Sequence, residues 1–169
     1  MMKFIIIFFF FVNQTLLFGQ NRNVVLDRFT FQGHSFSMTK NDVIKAFGQP
    51  KIVYPKYDCG FFSDEWTGTS YYQLTYGDFN FIGSDKENFV LEKVMFDYNG
   101  KVLLKYGDKT LSGQTTKTEL AEIFGENAKE LFERYQDKDA VLLLTKDDDG
   151  VRFTFKDGRL TKFEYWTPC

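Results

Sequence analysis

The sequence predicts an α+β fold: two tandem helix-plus-antiparallel-meander repeats forming one antiparallel sheet of seven or eight strands, with the helices on one face. Three observations predict it. A capped-helix signature occurs twice, as Thr39-Lys40-Asn41-Asp42-Val43-Ile44-Lys45-Ala46-Phe47-Gly48 and, 77 positions later, as Thr116-Lys117-Thr118-Glu119-Leu120-Ala121-Glu122-Ile123-Phe124-Gly125. Short runs rich in apolar and aromatic residues follow each copy. The tight-turn pairs Asn99-Gly100 and Asp157-Gly158 punctuate those runs. Helix first and strands after, twice over, segregates helices to one side of an antiparallel sheet. A repeat that is only twofold marks a duplicated domain and not a solenoid.

Taken in order, the first twenty residues read as an export signal. Lys3 supplies the positive start and Phe4 to Val12 is an unbroken apolar run of nine. A bilayer core needs about twenty such residues, so a cleaved signal is expected and a retained anchor is the alternative. Cleavage is expected after Gly19 or Gln20, and no Cys follows to carry a lipid. Residues 21–169 then form one domain of two repeats, about 24–98 and 101–166. Residues 24–31 read as a strand ending at Gly33. The first helix follows, opened by Thr39, whose hydroxyl can cap a free N–H, with Asp42 where the helix dipole favours a carboxylate. Gly48 stops it and Pro50 forbids its continuation. Strands are expected at 71–76, 79–82 and 89–98, and Asn99-Gly100 folds the last of these back onto 101–106. The second helix, 117–124, is capped by Thr116 and Glu119. A further helical segment, 128–135, places Leu131, Phe132 and Tyr135 on one face. Strands at 140–145, 151–155 and 160–166 complete the second meander. Lys162 before Phe163 and Tyr165 echoes Lys93 before Val94 and Phe96.

Composition narrows the function. Without Lys3 the chain carries 20 basic and 23 acidic residues, a formal charge of −3, and no basic cluster. That excludes a phosphate-backbone grip, so nucleic acid is not an expected partner. The two cysteines, Cys59 and Cys169, suit an oxidising periplasm or the cell exterior. Pairing them would tie the C-terminus to a long loop, at a stabilisation of roughly 3–5 kcal/mol by loop-closure entropy. Two free thiols remain the alternative, and a catalytic thiol at Cys59 is disfavoured.

Catalytic patterns are sought and not found. His34 is the only histidine, which removes most acid–base and metal schemes, so no cofactor or metal is expected. Gly33-His34-Ser35-Phe36-Ser37 lacks the closing Gly of a nucleophile elbow. Asp147-Asp148-Asp149-Gly150 lacks the ligand ladder of a calcium loop and reads as a solvated turn. Asp64-Glu65 has no nominated partner for a carboxylate pair. The unusual feature is aromatic: Tyr54, Tyr57, Phe61, Phe62, Trp66, Tyr71 and Tyr72 fall within nineteen residues. Aromatic loops concentrate binding energy. The competing reading is that Phe61, Phe62 and Trp66 cover the sheet where the second repeat uses its extra helix, with Tyr54 and Tyr57 exposed.

The pattern Thr-x-x-acidic-Val-x-x-x-Phe-Gly-x-Pro, carried by Thr39, Asp42, Val43, Phe47, Gly48 and Pro50 with Trp66 before the meander, resembles the β-lactamase-inhibitor-protein-like fold. That fold includes the small outer-membrane assembly lipoproteins of Gram-negative bacteria. Thr116, Glu119, Leu120, Phe124 and Gly125 carry the resemblance in the second repeat, with Asn127 in place of Pro. The tandem arrangement is similar to the inhibitor proteins, in which two such units form a concave sheet that grips a partner. The resemblance implies a secreted or periplasmic, non-enzymatic protein that binds another protein, as an inhibitor or immunity-type factor. An envelope assembly or structural protein is the second reading. A small enzyme or ligand carrier, with its pocket between sheet and helices, is the third.

Overall fold

The computed structural model describes residues 23–134 and 139–169. The export segment expected at 1–20 and Tyr135 therefore lie outside the described residues. What is described is an α+β protein built on two antiparallel sheets. Its elements run β1 (Phe29–Phe31), β2 (His34–Ser35), β3 (Ser37–Met38), α1 (Lys40–Phe47), β4 (Lys51–Val53), α2 (Asp64–Thr67), β5 (Tyr72–Thr75), β6 (Phe79–Gly83) and β7 (Phe89–Met95). They continue with β8 (Leu104–Tyr106), β9 (Lys109–Leu111), α3 (Lys117–Phe124), α4 (Glu126–Arg134), β10 (Ala140–Leu144), β11 (Gly150–Lys156) and β12 (Arg159–Trp166). The large sheet has the order β10-β11-β12-β7-β6-β5-β4, with β3 paired to the start of β7. The small sheet has the order β2-β1-β8-β9.

Both capped helices form where the sequence places them. The Thr39 hydroxyl accepts from the Asp42 N–H at 3.2 Å. Thr116 does the same for Glu119, whose carboxylate in turn accepts from the Thr116 N–H at 2.7 Å, a complete reciprocal cap. Each helix then stops at a glycine in the same unusual backbone state, φ 85° and ψ −165° at Gly48, φ 76° and ψ −160° at Gly125. Residues with a side chain essentially never occupy that region. Val43 and Leu120, the central apolar residue of each helix, are fully buried.

Two expectations need correction. Residues 24–31 are not one strand: Leu26–Arg28 is a short 3-10 turn and only Phe29–Phe31 is extended. The chain turns there because Val24 bonds the edge of the large sheet, its N–H donating to the Leu144 carbonyl at 2.9 Å, whereas Phe29 onward enters the small sheet. The second correction concerns the single sheet. Asn99-Gly100 does make a tight turn, with Gly100 at φ 70°, but the strands on either side of it enter different sheets. The Asp97 carboxylate accepts from the N–H groups of Lys101 at 2.9 Å and Val102 at 3.0 Å. That side-chain turn redirects the chain between the sheets; β8 pairs with β1 and β7 pairs with β12. Asp157-Gly158 behaves as expected and closes the β11–β12 hairpin.

The core lies between the two sheets and is largely aromatic. Phe29, Phe31, Phe81, Phe89, Phe153 and Phe163 are among its largest fully buried side chains. Phe47 of α1 packs on Phe79 and Phe81, Phe124 of α3 on Phe153, and Phe132 of α4 on Phe155. Of the expected apolar face of α4, Leu131 and Phe132 pack against this core, and Tyr135 lies outside the described residues.

Candidate functional site

The face of the large sheet turned away from this core carries the polar chemistry. Strand alternation sends Leu74, Phe81, Leu91, Val94 and Phe163 inward, and therefore their neighbours outward. Cross-strand pairing lines up Lys51, Thr75, Asn80, Lys93, Glu164, Arg152 and Leu142 in one row over seven strands. A β-bulge against Asn80 inserts one extra residue into β7, between the partners of Asn80 and Phe81. Glu92 is that residue, so Glu92 and Lys93 both reach the outer face. The hairpin of β11 and β12 has a matching irregularity at Thr161-Lys162.

Glu92 is the most elaborately held side chain of this face. It accepts from the Tyr57 hydroxyl, from Gln73 Nε2 at 2.7 Å and from Asn80 Nδ2 at 2.7 Å. Burial pushes its carboxyl above the ordinary value, against the lowering effect of those donors. The same burial, with the Glu92 charge beside it, pushes the Tyr57 phenol up. Asn80 is 2% exposed and its Oδ1 has no partner among the described residues. Beside this network lies a shallow depression of about 220 Å³ lined by Gln73, Glu92, Lys93, Arg152, Glu164 and Trp166. Glu164 leans along its own strand to Lys162, 2.9 Å away.

Residues 54–71 cross this face, and they hold most of the aromatic candidates. Tyr54 (69% exposed), Phe61 (54%) and Trp66 (64%) face solvent. Phe62 and Tyr71 are buried in a small second cluster with Ile82, onto which Tyr57, Val90 and Tyr165 pack. The covering role expected for Phe61, Phe62 and Trp66 therefore holds for Phe62 alone; Phe61 packs at a tilt beside Tyr71 but remains largely open. Tyr57, expected outside, is half-buried because its hydroxyl reaches Glu92. Tyr72 belongs to the main core, and its hydroxyl donates to Asp85 at 2.5 Å, with the Lys40 ammonium on the same carboxylate at 2.9 Å. Tyr71 donates to Glu87 at 2.8 Å, and burial first, then that carboxylate, pushes its phenol up to about 12.

The remaining sequence candidates are scattered. Cys59 and Cys169 form a disulfide with Cα atoms 5.0 Å apart. His34 lies edge-on to Phe47 at 5.1 Å. Asp64 and Glu65 are exposed in the first turn of α2. Asp149 takes hydrogen bonds from Thr145 and Tyr165 and serves the turn after β10. Sequence reasoning missed Gln73, Asn80, Glu92, Lys93, Arg152 and Glu164. The one signal for them is a slip in alternation: Leu91-Glu92-Lys93-Val94 sets two polar residues between two inward ones, as Leu160-Thr161-Lys162-Phe163 does later.

Among the described residues no helix is long and apolar enough to cross a membrane. A disulfide is compatible with an oxidising compartment. In comparisons with protein families, curated proteins and solved structures, nothing matches this chain.

Proposed function

We propose that this chain is an exported, non-enzymatic protein that binds another protein through residues 54–66 and the adjoining outer face of the large sheet. One observation carries the reading: Tyr54, Phe61 and Trp66 stand exposed on a single segment that is fastened by the disulfide and by the Tyr57–Glu92 bond. Large exposed aromatics on a held segment bury much area on contact and lose little entropy.

The duplicated architecture, and with it the resemblance to the β-lactamase-inhibitor-protein-like fold, belongs to the same proposal. Several features support it. The large sheet places β7 beside β12, the last strand of each meander, and the small sheet places β1 beside β8. Thr39 and Thr116 cap helices that end on glycines in one backbone state. Both meanders carry an irregularity at the residue pair before Val94 or Phe163. An inhibitor or immunity-type role against an exported enzyme is the form of binding this arrangement suits best. It is preferred to a ligand carrier because buried phenylalanines of the large sheet, Phe81 and Phe153, pack directly on Phe47 of α1 and Phe124 of α3, where the carrier's pocket would lie.

The test compares the mature wild-type chain with a Tyr54→Ala/Phe61→Ala/Trp66→Ala variant as bait for envelope and surface extracts. All three side chains are exposed, so the variant should melt within a few degrees of wild type. A protein retained by wild type and lost by at least about tenfold with the variant supports the reading. Equal retention by both baits, or none by either, counts against it.

A further inference from the structure

Residues 54–71 have the anatomy of a strap. The backbone hydrogen bonds found for residues 57–70 among the described residues all close within that segment: Ser63 to Gly60, Trp66 and Thr67 to Ser63, Gly68 to Asp64. Its own short helix, α2, gains no side-chain cap from Ser63, whose hydroxyl is buried without a partner among the described residues. What holds the segment down comes from side chains. Tyr54 meets Tyr72 at a ring distance of 5.4 Å, Tyr57 bonds Glu92 and Gln73, and Phe62 sits on Tyr71 and Tyr165. The covalent fastening is Cys59–Cys169, which pulls the strap onto the C-terminal tail. A Cβ on Gly60 would lie 2.8 Å from Thr167 Oγ1 and 2.9 Å from the Pro168 carbonyl, so strap and tail are in close contact there.

Between the strap and the sheet lies a small second cluster, in which Phe62 and Tyr71 of the strap meet Ile82 of β6. Ile82 is fully buried and Val90 half-buried, though both project from the outward face of a sheet whose adjoining row is polar. The strap therefore hides an apolar patch on an otherwise water-facing surface. Its catch is reachable: Cys59 is half-buried and Cys169 exposed.

We propose that Cys59–Cys169 is the catch of a redox-released strap. A dithiol reductant attacks one sulfur as thiolate and breaks the S–S bond to give a mixed disulfide. Its second thiolate then closes on the first, leaving as a disulfide, and both cysteines end as thiols. Two electrons and two protons pass from the dithiol to the protein. The strap and tail then lift, carrying Phe62 into solvent and uncovering Ile82 and Val90, while the main core and both sheets stay folded. This inference concerns the same segment that carries Tyr54, Phe61 and Trp66, but its test reads proteolysis and not partner capture, so the two readings can fail separately.

The test is limited chymotrypsin digestion of the full chain, oxidised and after dithiothreitol, read as the cleavage rate after the buried Phe62 and followed in parallel by far-UV circular dichroism. A Cys59→Ser/Cys169→Ser variant repeats the reduced state without reagent. Reduction should speed cleavage after Phe62 by about tenfold or more, with unchanged dichroism and no early cuts in the main core, as expected of local opening. A hydrophobic dye should brighten on the reduced form alone. Equal rates after Phe62 in both states overturn the proposal. So does cleavage that appears only together with core cuts and loss of dichroism, since strap and core would then be one cooperative unit.

Discussion

Glu92 is an acid placed by backbone geometry where water is scarce. The bulge turns it to the outer face, and Tyr57, Gln73 and Asn80 supply donors that only partly offset the loss of hydration. Its folded value lies above the ordinary 4.5, so the folded chain holds this proton more tightly than the unfolded chain. The stability contributed by the group is fully present below that ordinary value and is lost as pH rises through the folded one. Glu92→Gln removes the titration. With its oxygen kept toward Gln73 and Asn80, the amide nitrogen would replace the oxygen facing Tyr57 and donate to that hydroxyl, so the variant should fold. The stability of wild type relative to Glu92→Gln is expected to fall as pH is raised from below the ordinary 4.5 through the higher folded value. Depressed carboxyls such as Glu119 act in the opposite sense, but both proteins retain them and they cancel. Urea unfolding of the pair across that range measures the difference, and a flat or rising difference curve would refute the assignment.

At the scale of elements, the two helix starts look alike in sequence but are not equally built. Thr116 and Glu119 form a reciprocal cap, each satisfying the other's backbone. At Thr39 the side chain accepts from Asp42 N, while the shorter Asp42 carboxylate only receives the Thr39 hydroxyl at 2.6 Å. Thr116→Ala and Thr39→Ala should each cost about 1 kcal/mol. In the first variant Glu119 can still accept from the backbone of residue 116, which limits the loss. Adding Glu119→Ala should therefore deepen the cost at the second helix more than Asp42→Ala does at the first. Thermal denaturation of the four proteins decides it; equal increments would mean the reciprocal bond contributes nothing. These caps were legible in the sequence because every group involved lies within four residues. The Asp157-Gly158 hairpin was legible for the same reason. Asn99-Gly100 was legible as a turn, but the choice between β12 and β8 as partner of β7 is made by residues far along the chain, which no local pattern records. Phe61, Phe62 and Trp66 are chemically interchangeable in an aperiodic stretch, so nothing local says that only Phe62 points at Ile82. The polar row was hidden differently. Lys93, Arg152 and Glu164 come together only once three strands, β7, β12 and β11, are in register, and the break in alternation at Glu92, echoed at Thr161-Lys162, was its trace.

For the whole molecule, the question is whether the N-terminal and C-terminal halves of the chain unfold as one unit. Phe29 decides this physically. It belongs to the first strand, yet its ring lies 4.8 Å from Tyr106, 5.3 Å from Phe163, 6.3 Å from Phe124 and 6.4 Å from Phe153, all supplied by the second half. Phe31, two residues on, packs against Phe47 and Phe79 of the first half. One three-residue strand thus stitches both halves into a shared core, and the β7–β12 pairing joins them again across the large sheet. Phe29→Ala should remove about 3–5 kcal/mol, a large share of the roughly 5–15 kcal/mol available to a domain. The loss should register in both halves together. In a Trp66→Phe background, fluorescence reports Trp166 of the second half alone, while far-UV dichroism reports the whole fold. The two urea curves are expected to coincide in wild type and in Phe29→Ala, shifted by the same amount. Separate midpoints would mean that each half keeps its own stability and that the shared aromatic core couples them only weakly. Coincident curves alongside early release of the strap would define a cooperative body of two sheets carrying one independently opening segment.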